Sequence, residues 1–149
     1  MISDTHGLLR PSAVDFLRGC EHILHAGDIG GEAILEALRH IAPLTAVRGN
    51  NDSGPWAAAL AGTQTIRLGG AGIHLLHDLA ELAIDPVASR LRVVVSGHSH
   101  RPLVREHHGV LYLNPGSAGP RRFSLPIAAA ELTVRDGTIA ARVTELAAA

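Results

Sequence analysis

The chain has 149 residues, a formal net charge of −1 at pH 7 and a hydrophobic content of 46%. These values exclude a disordered protein and give no overall positive field that would attract nucleic acid, and the length predicts one domain over residues 1–149. No stretch reaches the ~18 uncharged apolar residues of a membrane helix, and no signal peptide precedes the first motif. The single Cys20 cannot form an intrachain disulfide, so we predict a cytoplasmic protein.

Strands and helices alternate through the first fifty residues. Apolar runs and the flanking Pro and Gly residues predict strands at 1–3, 22–25 and 44–47, with helices at 11–18 and 32–40 between them. This β-α-β-α-β order implies a parallel sheet with right-handed crossovers.

The second half of the chain is richer in strands. A β-branched strand is predicted at 92–96, after a helix at 83–91 that has Pro86 in its first turn. Glycine-containing turns separate three pairs of strands that have the pattern of hairpins, so the chain begins α/β and ends mostly β. The predicted hairpins pair 63–68 with 72–76, 103–107 with 110–113, and 127–134 with 138–144.

Five polar side chains come directly after predicted strands, at or beside a glycine in most cases. In open α/β sheets, ligands bind outside the carboxyl ends of the strands, so these side chains are expected to converge on one rim. Carboxylate, amide and imidazole donors suit a metal such as Mn, Fe, Zn or Mg, and two ions close together are a common device of phosphoryl transfer. The five side chains are Asp4, Asp28, Asn50, His77 and His98.

Each fragment has an alternative interpretation when it is taken alone. Asp4 and Asp28 could be helix N-caps, Asn50 could be a turn residue, and Gly97-His98-Ser99-His100 could be a solvated turn. Because the fragments occur together and in order, metal ligation is favoured over these alternatives.

Short motifs that surround these positions recur in a particular order along nearly the whole chain. They are Ser3-Asp4-Thr5-His6-Gly7, His25-Ala26-Gly27-Asp28, Arg48-Gly49-Asn50-Asn51-Asp52, Ser96-Gly97-His98-Ser99-His100-Arg101-Pro102 and Asn114-Pro115-Gly116-Ser117. In this order they resemble the calcineurin-like metallophosphoesterases, and most closely the small bacterial and archaeal phosphodiesterase branch of that superfamily. The resemblance implies an α/β fold, a four-layer α/β/β/α sandwich in which two sheets pack face to face with helices outside.

The resemblance also implies two divalent cations, with manganese expected and Fe, Zn, Ni or Mg as alternatives. The first cation would be bound by Asp4, His6, Asp28 and His100, and the second by Asp28, Asn50, His77 and His98. Asp28 would bridge the two, since a carboxylate has two oxygens, and a bridging hydroxide would attack phosphorus in line. Asp28, Asn50 and His77 are accordingly predicted to be catalytic as well as ligating.

Three features depart from the family pattern. Asn51 stands where many members have a histidine that protonates the leaving oxygen, and an amide cannot act as a general acid at neutral pH. We therefore expect slow turnover, faster with phenol-like than with alkyl leaving groups. Asp78 replaces an expected glycine and could orient His77 or approach the metal. The family's first strand begins several residues before Asp4, so a short strand here predicts weak metal binding at Asp4 and His6.

Other polar residues near the motifs are expected to have lesser roles. His25 is expected to support the site without binding metal, and Asp52 to lie behind the ligands or to cap a turn. Arg101 and the pair Arg121-Arg122 could contact a substrate phosphate, although surface positions explain them at least as well.

The sequence thus predicts an enzyme, a binuclear metal-dependent phosphodiesterase or phosphatase that acts on a small phosphate ester. The alternative is a non-catalytic scaffold, because the Vps29 subunit of retromer has the same fold and mainly binds proteins. Vps29 departs from the full ligand set, whereas every liganding position is filled here, which disfavours the scaffold. The size and charge of the chain disfavour a nuclease or a stable nucleic-acid complex. A homodimer through apolar hairpin residues is compatible with the sequence.

Overall fold

In a computed structural model, which describes residues 1–149, two layers of β-strands pack face to face. A 3-10 helix lies at Leu79–Glu81, between β4 and β5. The other elements are α1 (Pro11–Leu17), β1 (Ile23–His25), α2 (Glu32–Arg39), β2 (Leu44–Ala46), α3 (Pro55–Ala58), β3 (Thr63–Leu68), β4 (Ala71–Leu76), β5 (Val93–Val95), β6 (Leu103–His107), β7 (Val110–Asn114), β8 (Ala128–Arg135) and β9 (Thr138–Glu145). None of the helices has the length and apolar character that a membrane span requires.

The first layer is organised around residues 1–3, which lie between β1 and β8. Ile2 pairs in parallel with His25, and the backbone of Met1 exchanges hydrogen bonds with that of Ala130. β1 pairs in parallel with β2, and β8 pairs antiparallel with β9. The layer therefore has the order β2, β1, residues 1–3, β8, β9.

The second layer is a five-stranded sheet with the order β3-β4-β5-β7-β6. Its three central strands are parallel, and an antiparallel hairpin partner flanks them on each side. The central β5 consists of three valines that are all buried. A strand covered on both faces needs apolar residues at every position, which accounts for the continuous β-branched run.

Alternate residues of the first layer supply two separate cores. Ile23 packs with Leu35 and Leu38 of α2 in the core beneath the helices. Its neighbour Leu24 packs with Ile73 and other side chains in the core between the layers. Successive side chains of a strand point to opposite faces, so one short strand joins the helical layer to the second sheet.

The α/β class and the packing of two sheets are confirmed, as are helices near 11–18 and 32–40 and the three hairpins. The predicted helix at 83–91 is wrong. The Asp85 carboxylate accepts hydrogen bonds from the amides of Val87 and Ala88, and Arg90 has a left-handed φ of 57° that ends the turn. Val87 is 55% exposed, so the segment has no buried stripe that would extend the turn into a helix.

The outer layer over the second sheet is consequently built from the 3-10 helix and turns. Leu79 and Leu82 pack there against Leu76, Val94 and Val110. Helix α3 was not predicted, because four residues are too few to show a helical period.

Candidate metal centre

The strands that precede the predicted ligands all end at one edge of the sandwich. Residues 1–3, β1 and β2 run parallel in the first layer, and β4 and β5 run parallel in the second. The loops that follow these strands meet at this edge. The side chains brought together are Asp4, His6, Asp28, Asn50, His77, His98 and His100.

Glycines allow the loops that follow the strands to approach the carboxylates of Asp4 and Asp28 closely. A Cβ atom at Gly97, which follows β5, would collide with Ser3 Oγ and lie 2.7 Å from Asp4 Oδ2. A Cβ atom at Gly49 would collide with the backbone nitrogen and the carboxylate of Asp28. The glycines in the sequence motifs thus provide room for the carboxylates beside them.

The first group of donor atoms surrounds the Asp4 carboxylate. His100 Nε2 lies 3.4 Å from Asp4 Oδ1, and His6 Nε2 lies 3.8 Å from that same oxygen. His6 Nε2 is also 3.3 Å from His100 Nε2 and 3.7 Å from Asp28 Oδ2. Donor atoms that share one ion at bond lengths of about 2.1 Å lie about 3 to 3.5 Å apart, so this spacing suits a cation.

The second group begins at the same oxygen of Asp28. His77 Nε2 lies 3.3 Å from Asp28 Oδ2 and 3.3 Å from His98 Nδ1. Asn50 Oδ1 is 3.2 Å from His98 Nδ1. Asp28 Oδ2 therefore lies within 3.7 Å of one histidine of each group. The ligand atoms of Asp4, Asp28 and His77 all lie within 4.8 Å of one another, as do those of Asp4, His6 and His100, so each trio could hold a cation.

Asp4 has one oxygen without a hydrogen-bond partner. Its Oδ2 accepts hydrogen bonds from Ser3 Oγ (2.6 Å) and from the His98 amide (3.1 Å). Its Oδ1 is buried, has no such partner and faces the histidines of the first group. Burial by itself raises the pKa of Asp4, but the neighbouring His100 and Ser3 outweigh it and lower the pKa below the ordinary value. A buried, ionised oxygen left unpaired is costly, and a cation would satisfy it.

Asp28 is held in place by Asn51. The backbone N–H of Asn51 donates to Asp28 Oδ1, and the side-chain Nδ2 of Asn51 donates to Asp28 Oδ2, both at 2.9 Å. Burial opposes ionisation of Asp28, but hydrogen bonds from His77 and Asn51 outweigh it and lower the pKa well below the ordinary value. The carboxylate is thus ionised and fixed in orientation before any cation arrives.

His77 has its tautomer set by the backbone. Its Nδ1 donates to the carbonyl oxygen of Ala26 at 2.7 Å, so Nε2 is the ring atom that faces Asp28, where it carries a proton in the metal-free protein or offers a lone pair to a cation. Burial lowers the pKa of His77, while Asp28 and the Ala26 carbonyl raise it above its ordinary value. A cation bound at His77 Nε2 would take the place of the proton that Asp28 and the Ala26 carbonyl stabilise.

Asp78, which the sequence suggests could orient His77 or approach the metal, has its carboxylate beside His98. Its Oδ2 lies 3.8 Å from His98 Nε2, and its Oδ1 accepts a hydrogen bond from the Ala80 amide. Asp78 thus begins the 3-10 helix as its N-cap.

Two buried residues hold the ligand loops from behind. His25 Nδ1 accepts from the Gly27 amide, and its Nε2 lies 2.9 Å from Thr5 Oγ1, which itself donates to the Ile29 carbonyl. Burial lowers the pKa of His25 to about 4, so the ring is neutral. Asp52 accepts backbone hydrogen bonds from Ile29, Gly30 and Gly49. The Asp28 and Asn50 loops are therefore joined through one carboxylate.

Five of the seven candidate ligands have left-handed backbones, with φ between 46° and 68°. Side chains with a Cβ atom adopt this region at a cost, although Asp and His tolerate it better than most. These turns direct the candidate ligands toward the cleft immediately after each strand ends, and the surrounding hydrogen bonds hold the turns in this conformation. The five residues are Asp4, His6, Asp28, His98 and His100.

The cleft above these groups has a volume of about 290 Å³ and includes residues that the sequence motifs did not single out. Arg122, Phe123 and Leu125 form part of its wall, so Arg122, one of the two arginines predicted either to contact phosphate or to lie on the surface, lies at the cleft. No motif marks Phe123, because only the folded chain places its loop beside the ligands. Arg101 is exposed and does not line the cleft.

The chain matches a protein-family model, described as the calcineurin-like phosphoesterase superfamily domain, over residues 1–137. A protein named "Probable metallophosphoesterase" from Methanothermobacter thermautotrophicus is 32% identical over 138 residues, which cover 85% of this chain and 80% of that protein. The chain therefore belongs to the calcineurin-like phosphoesterase superfamily.

Several solved structures share the fold at lower identity. An archaeal phosphodiesterase has a TM-score of 0.78 at 20% identity, covering 96% of this chain and 97% of that one. Vps29 from Chaetomium thermophilum has a TM-score of 0.77 at 22% identity, covering 97% and 94%. Vps29 from Entamoeba histolytica, in complex with zinc, has a TM-score of 0.72 at 24% identity, covering 97% and 96%. At these identities the likeness shows the fold alone.

Proposed function

We propose that this phosphoesterase is a phosphodiesterase that uses two divalent cations to hydrolyse a small phosphate ester. The observation that carries the proposal is that Asp28 Oδ2 lies between two histidines, 3.7 Å from His6 Nε2 and 3.3 Å from His77 Nε2. We propose that one cation would be held by Asp4, His6, Asp28 and His100, and the other by Asp28, Asn50, His77 and His98.

The chemistry of the donors supports hard or borderline cations, and we propose manganese, with Fe, Zn, Ni or Mg as alternatives. Such cations, when bound, lower the pKa of water so that it becomes a nucleophile and neutralise charge on the phosphate. The protein contributes the orientation of their ligands. Asn51 and Ala26 fix the Asp28 carboxylate and the His77 ring in place.

The cleft wall has little to protonate a departing group. Arg122 is its one permanently cationic side chain, and bound divalent cations would exceed that charge, so side-chain charge alone does not separate a diester from a monoester. Asn51 lies in the cleft wall at the position where a general acid would be expected, and its side-chain Nδ2 already donates a hydrogen bond to Asp28. The leaving group must therefore depart without a strong acid, which favours phenol-like groups.

The competing proposal is a non-catalytic scaffold, since Vps29 proteins share the fold. The Entamoeba protein binds zinc, so metal binding by itself does not distinguish the two proposals. The test must measure hydrolysis and bound metal on the same samples.

The experiment compares wild type with Asp28→Ala, His98→Ala and the matched control His107→Ala, whose exposed ring lies at a hairpin tip. Each protein is stripped with a chelator and reloaded with Mn, Mg, Ni or Zn. Bound metal per chain is measured by elemental analysis, and p-nitrophenol release is followed from bis-p-nitrophenyl phosphate and p-nitrophenyl phosphate.

Wild type and His107→Ala should bind two metals and cleave the diester faster than the monoester. Asp28→Ala should lose both metals and the activity, since its carboxylate serves both groups, whereas His98→Ala should retain one metal. A folded wild-type protein that binds two metals and cleaves neither ester would establish the scaffold instead. A folded protein that binds no metal would refute the metal centre.

A further inference from the structure

An exposed aromatic ring stands at the mouth of the cleft. Phe123 is one of two phenylalanines in a chain with a single tryptophan and a single tyrosine, and it is 93% exposed. Phe123 and Leu125 are the two hydrophobic residues of the cleft wall, which is otherwise polar. A large ring that avoids the core in a chain so poor in aromatic residues contributes nothing to packing, so its position calls for another explanation.

The backbone holds Phe123 in an unfavourable conformation. The Leu125 amide donates to the Arg122 carbonyl at 3.0 Å, which closes a turn with Phe123 at its second position. Phe123 has a φ of 52°, a left-handed value that glycine or asparagine adopts at lower cost. A bulky residue that is strained and also exposed indicates a role outside folding.

The base of this loop is fixed to the segment that carries the first ligands. A Cβ atom at Gly119 would collide with the Thr5 carbonyl, and Arg10 Nε donates to the Gly119 carbonyl at 3.0 Å. The Ser117 hydroxyl lies 3.1 Å from the Asp4 carbonyl and 3.3 Å from that of Pro120. The loop that carries Arg122 and Phe123 is thus anchored at its base to the segment that carries Asp4 and His6.

We propose that Phe123 stacks on an aromatic ring of the substrate while Arg122 binds an unesterified oxygen of its phosphate. The site would therefore select phosphate esters that carry a flat aromatic group, either a nucleobase or an aryl ring. This inference rests on the proposed function and adds the substrate class. Stacking of a ring on an exposed aromatic side chain and pairing of a phosphate with arginine are both strong in a small, open cleft.

The test measures binding, so that it is independent of turnover. Phosphonates, whose C–P bond is not hydrolysed, are titrated calorimetrically into the manganese-loaded protein. The probes are methylphosphonate, phenylphosphonate and the phosphonate analogue of thymidine 5′-phosphate. Wild type should bind the two ring-bearing probes about 5-fold to about 100-fold more tightly than methylphosphonate, and the tighter of the two identifies aryl or nucleobase as the natural group.

Variants separate the ring from the charge. Phe123→Ala and Phe123→Leu should lose the preference for ring-bearing probes while leaving methylphosphonate binding unchanged, and Phe123→Trp should retain the preference. Arg122→Ala should lower the affinity for all three probes by the same factor. A preference that survives in Phe123→Ala, or that is missing in wild type, overturns the inference. If the ring preference is found but no ester is cleaved, the proposed function fails and the binding inference stands.

Discussion

Replacement of Asp52 by asparagine would test how the two ligand-bearing loops are held together. Asp52 is buried, its Oδ2 accepts from the amides of Ile29 (3.2 Å) and Gly49 (2.9 Å), and its Oδ1 accepts from that of Gly30 (3.0 Å). The three donors come from two loops, one that carries Asp28 and one that carries Asn50. The substitution changes one oxygen into an NH2 group and removes the negative charge without changing the size of the side chain.

The expected loss of stability follows from those three bonds. An asparagine oxygen in the position of Oδ2 can still accept from Ile29 and Gly49, but as a neutral acceptor it makes weaker bonds. The NH2 group then faces the Gly30 amide, so two donors oppose each other and one is left without a partner. An unpaired donor costs about 1–3 kcal/mol when it is buried, but Gly30 is exposed and its amide can turn to water, so the lower figure applies. The two weakened bonds add about 1 kcal/mol more, and we expect a total of about 2 kcal/mol.

Urea unfolding of the metal-free proteins, followed by circular dichroism and by fluorescence of the single Trp56, gives the difference directly. Asp136→Asn in the exposed β8–β9 turn makes the same chemical change and should alter stability by less than about 0.5 kcal/mol. Calorimetric titration with manganese should also show weaker binding to Asp52→Asn. A loss below about 0.5 kcal/mol with unchanged metal affinity would refute the reasoning.

Three further predictions follow from the same loops. Because the pKa of His25 is about 4 in the folded protein against an ordinary 6.5, the unfolded chain binds this proton first, so stability should fall by about 3 kcal/mol as the pH drops from about 6.5 to about 4. Urea unfolding of His25→Gln at several pH values should show a smaller fall in stability over this pH range. A dependence of stability on pH as steep as that of wild type would contradict the role assigned to His25. Gly49→Ala should abolish manganese binding because its Cβ atom collides with Asp28, whereas Gly31→Ala, which has open space around the Cβ position, should bind as wild type does. Asn51→His should supply a proton donor and raise the rate on diesters with alkyl leaving groups by about 100-fold while changing p-nitrophenyl diesters little; equal gains on both would contradict a missing acid.

The ligand positions could be predicted from the sequence because each depends on local chemistry. Asp28 and His77 follow short apolar strands, and parallel strands end at the same edge of a layer. The donor groups required only this topology and a suitable side chain at each strand end. The hairpins could be predicted equally well, since turn glycines such as Gly137 lie between segments in which apolar and polar residues alternate.

The features that were missed depend on tertiary packing. The segment at 83–91 has helix-forming residues, but the Asp85 side chain captures its first amides and no partner surface buries Val87. Phe123 has no local signature at all, because its place at the cleft is set by contacts of Gly119 with a segment more than a hundred residues earlier. The sequence leaves open whether Asp78 orients His77 or approaches the metal, and only the folded turn shows its Oδ2 at 3.8 Å from His98 Nε2.

The left-handed backbones of the five candidate ligands have a consequence for the history of the chain. At about 1 kcal/mol each, they cost about 5 kcal/mol, which is comparable with the whole stability of a marginal domain. A lineage no longer selected for phosphoester chemistry would gain stability where glycine or asparagine replaced these residues, since both adopt a left-handed φ at lower cost, and neither sheet would be disturbed. Drift would therefore erase the donors before it erased the fold. An intact set of donors is what continued selection for the proposed metal chemistry would leave.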